Sequence, residues 1–386
     1  MMKMKKKWKH ENSIHLLLLD WRLANKRRQR GSMDGEKVSG ELPKGWSLQI
    51  PPAERVNVLL LIAIWLWHWI LVIMYSRKID ISSVLQTRRP DELKVPLAHS
   101  QLIRFSRAFG IKLSKMIVPL IIISVAFQSF DKETSSFIYS AISFLPLLQF
   151  VVILGFIWKD SVIIRYCTER LLLIEPTPRV LRNMYILLSD TLTSFGKPLV
   201  DFSLYLTALC LPQDSIWTHF DLLISLLPLI VRVTQCIREF YLTKDRSLIF
   251  NTIKYCSSIP IITYVWYSRV QPEKYDYMKH GWFLCLNSCY TFFWDIKMDW
   301  KFQSFFKIRA INKKHETMMF PRYFYYMGTL FNLLVKFWWI WTINGQRHEI
   351  FFANEQQYFE ILRRSIWIIF KLESEFIIIT KNNDEK

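Results

Sequence analysis

Ionisable side chains inside apolar stretches are the residues of this sequence that invite chemistry. A charge taken into hydrocarbon costs several kcal/mol unless it is paired or hydrated. In SDTLTSFGKPLVD (189–201), Asp190, Lys197 and Asp201 are spaced by seven and four residues. At about 100° per residue that spacing places all three on one helical stripe, with Thr193 beside it. Pro198 is positioned to loosen the helix there and free a carbonyl. Lys254 follows Asn251 by about one turn and precedes Tyr255, and Lys336 lies deep in MGTLFNLLVKFWWIW (327–341), before Phe337, Trp338 and Trp339. Arg363 and Arg364 open the last apolar run behind Glu360.

Such donors, if they converge, suit an anion that must exchange its water for protein groups. Arg supplies a planar fork for oxyanion oxygens and Lys a compact charge, while nearby carboxylates keep the anion from being held permanently. Each residue also has a plainer reading. Arg363, Arg364 and Lys254 can snorkel from a helix end to the interface. Asp190 can sit solvated at a mouth, and Asp295 and Asp299 in WDIKMDW can form a helix-end cluster with Lys297. Lys336, apolar on both sides, is the hardest to explain this way.

The elements that must position these groups read as membrane spans. VNVLLLIAIWLWHWILVIMY (56–75) and FIYSAISFLPLLQFVVILGFIW (137–158) carry no formal charge, and twenty helical residues cover about 30 Å, the depth of a bilayer core. Less pure spans are expected near 183–212, 216–236, 249–268, 281–298, 323–343 and 361–379, with MIVPLIIISVAFQSF (116–130) pairing with 137–158 as a hairpin. The fold class is therefore all-α, a polytopic integral membrane protein of about eight to ten helices. Its 16 Trp, 28 Phe and 16 Tyr suit lipid interfaces and helix packing, and its 10 Gly argue against a glycine-zipper bundle.

Charge orients the chain. The net charge is +19, and basic segments at 159–182, 237–248 and 299–322 (RAINKKH, 309–315, the densest) alternate with poorly basic connections near 131–136, 212–217 and 344–360. The basic set is assigned to the cytosol, and both termini with it. Parity then demands one more crossing within 76–115, around VPLAHSQLIRFSRAFGI (95–111). The basic runs KKKWK (5–9) and KRRQR (26–30) fit attraction to anionic lipid, and with no recognition module present, nucleic acid is not an expected partner. No signal peptide, phosphate-binding loop, zinc set or hydrolase motif is present, so neither catalysis nor a cofactor is expected. The six cysteines are expected to be buried free thiols.

The succession SDTLTSFGKPLVD, QCIREFYLTKDRSLIFNTIKYCSS (235–258), CYTFFWDIKMDW (289–300), LLVKFWW (333–339) and FEILRRSIWIIFKLESEF (359–376) resembles the EXS family of phosphate exporters. The resemblance runs from about 185 to 379 and implies an inorganic phosphate path through Asp190, Thr193, Lys254, Tyr255, Lys336, Glu360, Arg363 and Arg364, gated by Trp339. Thr193 stands where the exporters tend to have Asn, and Lys336 where they tend to have Arg. Only about 55 residues precede the first span, so the inositol-phosphate-sensing domain of the larger exporters is not expected. The chain looks most like the short yeast type named for defective retention of endoplasmic-reticulum residents. That type implies a Golgi membrane protein returning luminal phosphate, the by-product of glycosylation, to the cytosol. The alternative is a sorting factor that recycles glycosyltransferases without moving phosphate. Expected domains are a basic segment (1–55), N-terminal spans (56–182), the EXS domain (183–380) and a short tail (381–386). Expected partners are phosphate, the bilayer and glycosyltransferase-sorting machinery, with a homodimer as a further option.

Overall fold

The computed structural model describes residues 50–85, 98–129, 141–172, 182–210, 220–271, 276–302, 319–344 and 349–384. The runs KKKWK, KRRQR and RAINKKH and the connections 131–136 and 212–217 lie outside them. Every regular element among the described residues is helical: α1 (Pro52–Ser76), α2 (Ile81–Leu85), α3 (His99–Ser129), α4 (Leu145–Asp160), α5 (Val162–Leu172), α6 (Arg182–Ser194), α7 (Gly196–Cys210), α8 (Phe220–Thr243), α9 (Ser247–Cys256), α10 (Ile259–Val270), α11 (Tyr277–Trp294), a π-helical turn (Asp295–Asp299), α12 (Arg322–Lys336), α13 (Trp339–Asn344) and α14 (Glu349–Asp384).

Four helices are long and apolar enough to cross a membrane by themselves: Pro52–Ser76, His99–Phe127, Ala141–Asp160 and Phe220–Thr243. The remaining rods are broken or charged. α6 gives way to α7 at Phe195, α9 to α10 at Ser257–Ser258 and α12 to α13 at Phe337–Trp338, while α11 runs on into the π turn. Joining these pieces and setting aside the short α2 and α5 gives nine rods among the described residues, and the chain is an all-α polytopic membrane protein. The rods wear lipid-facing side chains outside, among them Ile122, Val151, Leu223, Trp282 and Leu334. Inside, Trp300, Phe302, Tyr325, Trp367 and Phe370 fill a core between the π turn, α12 and α14. Gly328 allows that approach, because a Cβ there would lie 2.5 Å from Phe370 Cε2.

Several expectations are corrected. The crossing near 95–111 is not separate from 116–130, because residues 99–129 form one helix. At about 1.5 Å per residue that helix outruns the hydrocarbon, and Arg104 and Arg107 ride on its exposed face near one end. Three rods rather than four thus precede residue 161. The loosening expected from Pro198 is seen as the break at Phe195, since Pro198 cannot donate to the Ser194 carbonyl four residues before it and sits in the first turn of α7. The thiols are not uniformly buried: Cys167 and Cys236 are, whereas Cys289 is exposed.

Candidate functional site

Because α6 and α7 are separate helices, the supposed stripe divides. Lys197 and Asp201 of α7 pair with each other at 2.5 Å. Asp201 also meets Arg55 of α1 at 3.4 Å and accepts from Gln357 Nε2 at 2.6 Å. Asp190 faces another way, into a polar cavity of about 270 Å³, room for roughly nine waters at ~30 Å³ each.

Asp190, Thr193, Lys254, Tyr255, Lys336, Glu360, Arg363 and Arg364 all line this cavity, together with Ser258, Asn287, Ser288, Thr291, Asp295 and Gln356. The breaks in the rods explain the convergence. Asp190 and Thr193 lie just before the α6–α7 break, and Lys254, Tyr255 and Ser258 flank the α9–α10 break. Asp295 opens the π turn and Lys336 ends α12. Discontinuous helices place polar backbone and side chains at membrane depth only where they line a cavity, and π turns recur at functional sites.

The charges are arranged in pairs with a remainder. Arg232 Nε lies 2.8 Å from Asp190 Oδ1. Its guanidinium also donates to Tyr255 Oη at 2.7 Å and to Gln235 Oε1 at 2.7 Å, and the Tyr255 hydroxyl donates to Asp190 at 2.6 Å. Lys336 Nζ sits 2.9 Å from Asp295 Oδ2. Arg363 grips Glu360 with two bonds of 2.7 and 2.5 Å and reaches Asn332 Oδ1 at 3.1 Å.

Two cations remain. The Lys254 ammonium lies over the rings of Tyr255 (4.4 Å) and Trp294 (5.3 Å). Arg364 donates to the hydroxyls of Ser194 (2.8 Å) and Thr193 (3.0 Å) and covers the Trp367 ring. No carboxylate pairs with either among the described residues. Five cations against three carboxylates leave two positive charges in a site shielded from lipid.

Burial speaks against the plainer readings of three residues, while Arg364 is half-buried. Asp190 is 2% exposed, Arg363 5% and Lys254 7%, so none is solvated at a mouth or snorkelling. Asp295 turns to Lys336 and Arg363 instead of Lys297, whose ammonium lies over the Phe293 ring. Trp339 does not line the cavity. Its Nε1 donates to Ser288 Oγ at 3.0 Å, and that hydroxyl donates to the Lys336 carbonyl. Arg232 and Asp295 are the charged members missed in the sequence. Arg232 interrupts the apolar run LLISLLPLIVRV (222–233) as plainly as Lys336 interrupts its own.

A helical membrane bundle with a cationic, oxyanion-sized cavity at its helix breaks defines the class of protein. Residues 50–377 match the EXS family, and the chain belongs to that family. It is 40% identical over 347 residues to Protein ERD1 of Saccharomyces cerevisiae, covering 86% of this chain and 94% of that one. Protein ERD1 of Kluyveromyces lactis is 31% identical over 78% of this chain and 88% of its own. Phosphate transporter PHO1 homolog 8 of Arabidopsis thaliana is 25% identical over 49% of this chain and 27% of its own length.

Proposed function

We propose that the chain moves inorganic phosphate across the Golgi membrane, from lumen to cytosol. The observation that carries this reading is the pair of positive charges left in the cavity. Inorganic phosphate near neutral pH is a mixture of monoanion and dianion, and Lys254 and Arg364 can offset either charge. The other cations are already neutralised by Asp190, Asp295 and Glu360, so the anion meets a limited excess of charge and can leave again. Thr193, Ser258, Asn287 and Thr291 offer neutral contacts in place of lost water, and Tyr255 is held by Arg232 with its hydroxyl committed to Asp190. Trp339, whose indole holds Ser288 Oγ on the cavity wall, gates the path in this reading by leaving that hydroxyl.

The name of the Arabidopsis relative supports the choice of phosphate. The likeness to the yeast ERD1 proteins supports a place in the secretory pathway. A sorting scaffold needs no buried cation in excess of its carboxylates. The test is radiolabelled phosphate uptake into vesicles containing the purified chain. Uptake above protein-free vesicles, competed by unlabelled phosphate, is expected. Uptake equal to the protein-free control would overturn the reading and leave the sorting role.

A further inference from the structure

One carboxyl group outside the cavity has surroundings that a bare charge does not suit. Glu54, in the first turn of α1, is fully buried, as are Asn57 on the same helix, Ser124 of α3 and Gln149 of α4. Gln149 Nε2 donates to Glu54 Oε1 at 3.0 Å. Asn57 Nδ2 lies 3.3 Å from Glu54 Oε2, 3.3 Å from Gln149 Oε1 and 3.0 Å from the Pro146 carbonyl. Three oxygens therefore share a nitrogen that carries two hydrogens. The buried Ser124 hydroxyl beside the carboxyl makes no hydrogen bond among the described residues. No Lys, Arg or His among the described residues pairs with Glu54.

A helix N-terminus favours a carboxylate modestly, but a buried charge held only by neutral amides is expensive. A carboxylic acid balances the set. With a proton on Oε2 turned toward the orphaned Ser124 Oγ, the two Asn57 hydrogens are left for Gln149 Oε1 and the Pro146 carbonyl. Charged groups on the packed faces are engaged elsewhere. Arg55 of α1 meets Asp201 of α7, which also holds Lys197. On α14, Glu360 is gripped by Arg363, while Glu355 and Tyr358 lie on the turns before it. α3 and α4 bring only Ser124 and Gln149 to the carboxyl, and α2 packs at the opposite end of α1.

We propose that Glu54 is a proton-binding site, protonated in this state, and that its protonation is coupled to phosphate in the cavity. The route runs from α1 through Arg55 and Asp201 to Gln357, one turn before Glu360 on α14. The coupling rests on the phosphate reading, whereas the proton site does not.

Two measurements on the full chain in vesicles separate them. Infrared difference spectra at neutral pH should contain a protonated-carboxyl band that disappears in Glu54→Gln and shifts to higher frequency, without loss, in Ser124→Ala. With one coupled proton, a one-unit pH gradient should change the final phosphate ratio across the membrane about tenfold, and Glu54→Gln should remove that response. A missing wild-type band, or a band unchanged in Glu54→Gln, overturns the proton site. If Glu54→Gln does not accumulate, a band unmoved by Ser124→Ala does the same. A Glu54 band beside a phosphate ratio indifferent to pH overturns the coupling and leaves transport standing. Absence of any phosphate flux removes transport and coupling together, and the infrared band still decides the proton site.

Discussion

Helices α1, α3 and α4 run without a break, whereas four of the rods around the cavity are interrupted and two, α8 and α14, run through unbroken. The two regions are equally helical and face the same lipid, yet they differ in where charge is tolerated. In α1 and α4, charged side chains keep to the ends, as Arg55 and Asp160 do, and α3 carries Lys112 and Lys115 midway on its exposed face. In the broken rods, Asp190, Lys254, Asp295 and Lys336 lie beside the interruptions. A break leaves backbone groups that need polar partners, so a cavity wet enough to serve them is also one in which ions are affordable. Charge and helix breaks thus mark the same place on four of the rods, and α8 and α14 bring Arg232, Glu360, Arg363 and Arg364 to it without a break.

The largest effect that this contrast predicts is all-or-none. With α3 a single rod, the connection containing 86–97 falls on the side of the basic connections, and 131–136 on the opposite side. A glycosylation acceptor inserted within 131–136 should be used, and one inserted within 86–97 should stay bare. Modification at 86–97 would restore the extra crossing and both cytosolic termini.

Next come the unpaired cations. A hydrogen bond to a charged group contributes about 1.5–3 kcal/mol, which corresponds to roughly ten- to hundredfold in binding. Lys254→Met and Arg364→Met should each reduce phosphate flux by about that factor with protein abundance unchanged. Lys112→Met, which removes the same charge from an exposed pair with Asp160, should leave flux near wild type, because surface pairs contribute about 0–1 kcal/mol. Equal losses at all three positions would show that bulk charge matters and the cavity does not.

Lys336 is both paired and in contact with the cavity, which makes its effect mixed. Its partner is Asp295, neither Asp190 nor Asp201. Removing one member of a buried pair costs about 3–5 kcal/mol, softened here by Arg363 at 3.5 Å from the same carboxylate. Lys336→Met should therefore lower abundance first. Adding Asp295→Asn should restore abundance without restoring flux, and Lys336→Arg should keep both. Recovery of flux in the double variant would make Lys336 a structural partner alone.

All eight lining residues named for the phosphate path were legible because each is an ionisable or hydroxyl group in an apolar context, or belongs to a family motif. The breaks were less legible. Phe195, Ser257 and Phe337 are ordinary helix residues, and two of the breaks are set by prolines just beyond them, Pro198 and Pro260, while the break at Phe337 has no such local signal. The pairing of charges was not legible either. Seven- and four-residue spacing implies a shared stripe only if the helix continues, and here it ends between Asp190 and Lys197. Arg232 was visible in its apolar run but carries no motif. The three-rod count was hidden because two arginines in 95–111 look like an impure span, when they lie near one end of a helix longer than the bilayer.

The smallest effect belongs to Trp339, where the break between α12 and α13 meets the cavity wall. Its indole N–H holds Ser288 Oγ, and the same hydroxyl caps the Lys336 carbonyl freed by the break. If the indole closes the path, its bond to Ser288 is part of what keeps the closed arrangement populated. Trp339→Phe keeps most of the bulk and removes the donor, so the closed arrangement should lose about 0.5–1.5 kcal/mol. Phosphate exchange should then speed up by roughly two- to tenfold. Ser288→Ala removes that bond and also the cap on the Lys336 carbonyl, so its effect should be at least as large, and the double variant should match Ser288→Ala alone. Additive effects would mean that the two residues act separately. Lower abundance with an unchanged rate per protein would make Trp339 a packing residue behind the cavity wall.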